Sequence, residues 1–312
     1  MAPLVVPGGG DLPEFTWSRA LTDWDPNPLP VVMGLVALTA YLIGVRVLGH
    51  RGDHWAFGRS AAFAAGISTF LFATSSGLAA YDTTLLSVHM VQHMLLSMLV
   101  PLLLALGAPV TLALRTLPTG VRRGLLALLH SRLARVLSFP ALTLALYVLS
   151  PWGLYFTGWY DASLRSLPLH ELMHLHLVVV GSLFLWPLVG IDPVPGRVAY
   201  PFRMLMILLT LPFHAFLGVT IMGQSTLLAE DWYAALRSGP MGEWLPTIAA
   251  DQKLAGGILW GAGDLIGLTL LAVLFVQWLR DSRREERRED RRLDLLEDRS
   301  RVGNRPLESD ER

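Results

Sequence analysis

The run HELMHLH at residues 170–176 places two imidazoles four residues apart, with a carboxylate beside the first. On a helix that spacing stacks His170 and His174 on one face, one turn apart. Three chemistries use such a pair. A zinc protease would take both as ligands and Glu171 as general base. A haem protein would take one imidazole as an axial ligand. A metal-handling protein would hold an ion between neutral imidazoles. A second pair with the same spacing, His89 and His93, stands in HMVQHM. Cysteine is absent, so thiolate sites, iron–sulfur ligation and disulfides are excluded; His, Met and carboxylates remain as ligands.

The elements carrying these residues are membrane helices. The chain is 53% hydrophobic and 16% charged, with a mean hydropathy of +0.47, too apolar for an ordinary soluble protein. No basic domain suggests nucleic acid. The opening MAPLVVPGGGDLPEF lacks the pattern of a cleavable signal peptide. Seven apolar runs of bilayer length lie near 29–49, 58–80, 85–107, 137–158, 169–190, 201–223 and 253–279. The expected fold is all-α: a polytopic bundle of seven transmembrane helices over 29–280, with an extracytoplasmic segment 1–28 and a charged tail 281–312. Basic residues set the orientation. One set of loops carries Arg46, Arg51, Arg59, Arg115, Arg122, Arg123, Arg132, Arg135, Arg197 and Arg203; the opposite set has only Arg19, Arg165, Arg237 and Lys253. The amino end is therefore expected outside and the arginine-rich tail in the cytoplasm. Trp17, Trp24, Trp159, Trp232 and Trp244 fall at the outer boundary, and Trp186 and Trp278 near the inner one. Segments 1–28 and 224–250 read as solvated loops on the lipid surface, with a lid or docking surface as the alternative. The tail reads as a helical extension laced with opposite charges.

With a direction assigned to each helix, a rise of 1.5 Å per residue sets depths. His89 and His93 lie about 6 and 12 Å below the outer boundary, His170 and His174 about 2 and 8 Å, and His214 about 13 Å. Asp251 lies at the outer mouth of the seventh span. Five histidines on three helices thus share the outer half of the bilayer. Ionisable side chains at such depths face the bundle interior and find partners, either an ion or one another. Met90, Met94, Met173 and Met222 lie at similar depths, and thioethers favour Cu(I). His214 follows Pro212, which frees a carbonyl one turn earlier, so it is a ligand or a neighbour of one. His176 points to a different face. The protease alternative still requires a third ligand, a water and a polar cavity, and leaves His89 and His93 unexplained. Bis-histidine haem suits facing helices, but two haems would sit at different depths, whereas these pairs lie on one side.

Three segments, HMVQHMLLSMLVPLLLALGAP (89–109), HELMHLHLVVVGSLFLWPLVGIDPVP (170–195) and DQKLAGGILWGAGD (251–264), resemble the multi-spanning CtaG-type cytochrome c oxidase assembly factors. The likeness runs from about 29 to 280, with the three blocks in family order. It implies a multi-pass protein of the bacterial plasma membrane that helps build a haem–copper oxidase through copper handling. Copper, as Cu(I), is then the expected cargo, with haem or zinc as alternatives. The ligands carried over are His89, His93, His170 and His174, with Asp251 orienting an imidazole or admitting the ion. Met90, Met94 and His214 are second choices, Gln252 and Asp264 fall within the third block, and Glu171 becomes incidental. Expected partners are an oxidase subunit, membrane lipid and a second copy of the chain.

Overall fold

The computed structural model describes residues 12–196 and 198–303. Residues 1–11 of the amino-terminal segment, Arg197 of the basic set and 304–312 of the tail lie outside them. Among the described residues the fold is all-helical, without strands. In chain order the helices are α1 (Trp17–Thr22), α2 (Pro28–His50), α3 (Phe57–Ser75), α4 (Gly77–Tyr81), α5 (Leu86–Met94) and, after a π-helical turn (Leu95–Leu99), α6 (Val100–Leu106). Next come α7 (Pro109–Thr116), α8 (Thr119–Leu129), α9 (Arg132–Leu137), α10 (Pro140–Phe156), α11 (Trp159–Leu164), α12 (Leu167–Val189) and α13 (Tyr200–Gly223). The last are α14 (Glu230–Arg237), a 3-10 turn (Pro240–Glu243) and α15 (Ile248–Gly303).

Among the described residues, six helical stretches are long and apolar enough to cross a membrane: Pro28–His50, Phe57–Tyr81, Leu86–Thr116, Leu167–Val189, Tyr200–Gly223 and Ile248–Leu293. They mark a multi-pass membrane protein. Helix α10, in the stretch expected to be the fourth span, is apolar but has only 17 residues. Pro140 opens it and Thr157 closes it in extended backbone, which trims both ends of the expected 137–158 run. The connection expected at 108–136 is filled by three short helices, the last reaching Leu137.

Two close approaches set the bundle. Pro101 has no N–H for the carbonyl one turn earlier, and the chain takes a π-helical turn just before it. The Ser97 carbonyl on that turn lies so close to Gly181 of α12 that a Cβ there would clash. Only glycine lets α12 pack so tightly on the α5–α6 rod, and this contact fixes the two histidine helices against each other. Gly218 of α13 and Gly256 of α15 face each other in the same way: a Cβ on either would meet the other's carbonyl oxygen at 2.6 Å. A buried core of Met90, Met94, Leu96, Leu177, Phe184 and Leu217 fills the space between these helices.

Two expectations about the connections change. Segment 224–250 is not a solvated loop: α14 buries Trp232, Tyr233 and Leu236, and Trp232, expected at the lipid boundary, is 1% exposed. Its indole donates to the Thr83 carbonyl at 2.8 Å, and the Tyr233 and Tyr160 hydroxyls bond at 2.6 Å. Arg203, counted as a loop cation, is also buried, donating to the Val198 and Leu188 carbonyls.

Candidate metal centre

The amino-terminal halves of α5 and α12 lie at one end of the bundle, beneath the turn after α4, α11 and α14. Leu167 and Pro168 start α12, and an uninterrupted helical register then puts His170 and His174 on its buried face, 6% and 4% exposed. Their rings meet edge to face, with centroids 4.5 Å apart. The side chain that joins them comes from the turn after α4. Asp82 accepts a hydrogen bond from His170 Nε2 at 2.9 Å, and the same oxygen lies 3.6 Å from His174 Nε2. One ligand atom from each of Asp82, His170 and His174 falls within 4.8 Å of the others, and all three residues are buried. Burial alone would raise the Asp82 pKa, but His170 above all, with His174, holds it well below the usual carboxylate range. The carboxylate is therefore ionised.

The second pair is engaged differently. The Tyr155 hydroxyl of α10 sits 3.1 Å from His89 Nε2 and 2.7 Å from His93 Nδ1, bridging them. Both rings are buried, and Ser97 donates back to the His93 carbonyl. The structure thus divides the four expected ligands into two groups, His170/His174 with Asp82 and His89/His93 with Tyr155. Electrostatically, His89 neighbours Asp82, His170 and His174, whereas His93 neighbours His214 and His176. Gln92, one turn after His89 on α5, ties the groups together: its Oε1 lies 3.0 Å from His174 Nε2.

The remaining candidates lie elsewhere. Asp251 directs neither oxygen at an imidazole: both accept backbone N–H groups at the start of α5, Leu86 at 2.7 Å and Ser87 at 3.2 Å. The physical reason is the unsatisfied amides and positive end of a helix amino terminus. Gln252 ties Leu228 N to the Ile221 carbonyl. His214 contacts the Thr210 carbonyl at 3.2 Å and the edge of Tyr147, deeper in the bundle. Met90 and Met94 are core side chains, and Met173 Sδ accepts from Ser163 at 3.6 Å. Asp264 holds the Trp260 indole, and His176 bonds Ser150.

A cavity of about 350 Å³ opens onto the centre, lined by Asp82, His170 and His174 with Asp25, Asn27 and Glu171. Glu171, expected to be incidental, is one of the residues lining this cavity. Sequence reasoning passed over Asp82, Gln92, Tyr155 and Asn27. Gln92 carried a signal, being polar on an apolar helix and three residues from His89. Asp82 carried none beyond its charge, because only tertiary packing brings its turn to α12.

The donor set suits a cation. Asp82 supplies a charged oxygen and the imidazoles supply borderline nitrogens, a combination used by Zn²⁺ and Cu²⁺. The Nδ1 atoms of His89, His170 and His174 are buried without a hydrogen-bond partner among the described residues, a condition that invites a functional explanation.

The sequence profile of the cytochrome c oxidase caa3 assembly factor family (Caa3_CtaG) matches residues 39–281. Uncharacterized proteins of Mycobacterium bovis and Mycobacterium tuberculosis are each 40% identical over 284 residues, covering 88% of this chain and 42% of the relative. One of Mycobacterium leprae is 36% identical over 273 residues, 85% of this chain and 41% of the relative. The chain thus spans about two fifths of the length of these curated relatives. No solved structure matches.

Proposed function

The chain belongs to the cytochrome c oxidase caa3 assembly factor family, and we propose that it holds copper at Asp82, His170 and His174 for delivery to a haem–copper oxidase subunit. The observation that carries this reading is the buried group of two imidazoles and one carboxylate, reached by a cavity whose lining includes Asp25, Asn27 and Glu171. Asp82 and the two Nε2 atoms are the ligands, favouring the divalent ion; His89 is the nearest additional imidazole, and Met90 and Met94 are the thioether donors available to Cu(I). Copper here is cargo, so the protein's task is to bind, exclude competitors and release.

The same proposal includes a topology of seven crossings in a bacterial plasma membrane. Helix α10 serves as the fourth crossing, since 17 residues lie at the lower limit for a span. The loop arginines support an amino end outside, which would put the centre near the extracytoplasmic face. Membrane domain 29–280 is then flanked by an outer segment 1–28 and a cytoplasmic tail 281–312. Metal analysis of purified protein, paired with oxidase activity in cells that depend on this chain, tests the function. The Asp82→Ala/His170→Ala/His174→Ala variant should lose both; if both persist, the reading fails.

The same residues would also suit a zinc hydrolase. Asp82 supplies the third ligand that a His-Glu-x-x-His zinc hydrolase requires, and Glu171 lines the cavity. Zinc-dependent peptide cleavage abolished by Glu171→Gln would establish it.

A further inference from the structure

Glu171 stands beside His174 without bonding it. Its Oε1 accepts a hydrogen bond from Asn27 Nδ2 at 2.6 Å, while its Oε2 stops 3.9 Å from His174 Nδ1. The reason Nδ1 makes no bond lies across the ring. Gln92 Nε2 donates to the Ala73 carbonyl at 2.8 Å, and a carbonyl can only accept. Gln92 must then turn Oε1 toward His174 Nε2, 3.0 Å away. An oxygen there requires a proton on Nε2, which leaves Nδ1 a bare lone pair with nothing to donate.

A cation bound at Nε2 reverses that arrangement. It takes the Nε2 lone pair, so one proton leaves Nε2, one arrives at Nδ1, and the ring stays neutral. The new Nδ1–H is buried and needs an acceptor. Metal-bound histidines commonly meet this need with a carboxylate, and Glu171 Oε2 has about 1 Å to travel to bonding distance. Asn27 cannot readily follow, because its Oδ1 caps α2 by accepting from Leu29 N at 3.2 Å.

We propose that Glu171 is a two-position carboxylate: Asn27 holds it in the metal-free protein, and His174 Nδ1–H takes it over when a cation binds. Asn27 therefore opposes loading and Glu171 completes it. Glu171 is a positioning residue, acting through His174 without touching the ion. The inference rests on the reading of Asp82, His170 and His174 as ligands.

Competitive copper(II) titration of the purified full-length protein against a chelator tests it, using wild type, Glu171→Ala, Glu171→Gln, Asn27→Ser and the double variant Asn27→Ser/Glu171→Ala. Serine keeps an N-cap hydroxyl but is too short to hold Glu171. Glu171→Ala should weaken affinity about 10- to 100-fold. Glu171→Gln, which keeps an acceptor oxygen, should retain most of it. Asn27→Ser should tighten binding about threefold or more, and that gain should vanish without Glu171. A merely architectural Asn27–Glu171 bond would make both single losses weaken binding. That result, or wild-type affinity in Glu171→Ala, overturns the proposal while leaving the metal centre standing. If wild type binds no copper, the ligand reading falls and this inference falls with it.

Discussion

Asp251→Asn separates a structural carboxylate from a ligating one. Asp251 is 3% exposed, and its two oxygens accept the Leu86 and Ser87 amides at 2.7 and 3.2 Å. Asparagine keeps one carbonyl oxygen and turns an NH₂ group toward the other amide. The substitution thus removes one buried charge-assisted hydrogen bond, about 1.5–3 kcal/mol. It also removes a negative charge from the amino terminus of α5, about 0.3–2 kcal/mol. A total of about 2–5 kcal/mol should lower Tm by roughly 3–8 °C in a protein of this size. Thermal unfolding followed by tryptophan fluorescence, with copper stoichiometry measured well below Tm, reads both quantities. The expected result is a lower Tm with copper affinity within about threefold of wild type, since no Asp251 oxygen faces an imidazole. Asp82→Asn should do the opposite, weakening copper binding about 100-fold or more by removing an anionic ligand. If Asp251→Asn abolishes copper binding at an unchanged Tm, Asp251 is a ligand and the division of roles drawn here is wrong.

His174→Ala should release copper on purification, whereas His93→Ala, whose ring bonds Tyr155 rather than Asp82, should retain it; elemental analysis of the two variants decides. Gly181→Ala should force the Ser97 carbonyl away from α12, destabilising the fold by about 1–3 kcal/mol and weakening copper binding, read by unfolding and titration together. Trp232→Ala removes a buried side chain that covers the Asp82 turn, and should raise the rate of copper release to a chelator more than it changes stoichiometry. An absorption spectrum of the purified protein should lack a Soret band; a strong one would move the function to haem.

Helix periodicity and depth made the end of the bundle that holds the histidines legible, because i, i+4 spacing and rise per residue are local properties. Partner identity was not local. Asp82 closes α4 and Asp251 lies in the first turn of α15, yet one faces imidazoles and the other caps α5. That difference arises from how α4, α12 and α15 pack. Glycine likewise did not announce its role: Gly181 reads as a weak helix former until the π-helical turn places Ser97 against it. Segment 224–250 misled because its tryptophans fit an interfacial belt, whereas Trp232 and Tyr233 are satisfied by Thr83 and Tyr160 inside the protein. Asn27 was passed over in the sequence, because its Nδ2 contact with Glu171 joins residues far apart in the chain.

Anomalous diffraction at the copper edge from crystals of the loaded protein tests the central claim most directly. The account predicts one copper peak within bonding distance of Asp82 and of the Nε2 atoms of His170 and His174. A peak held by His89 and His93 instead, or no ordered copper at either pair, would contradict it.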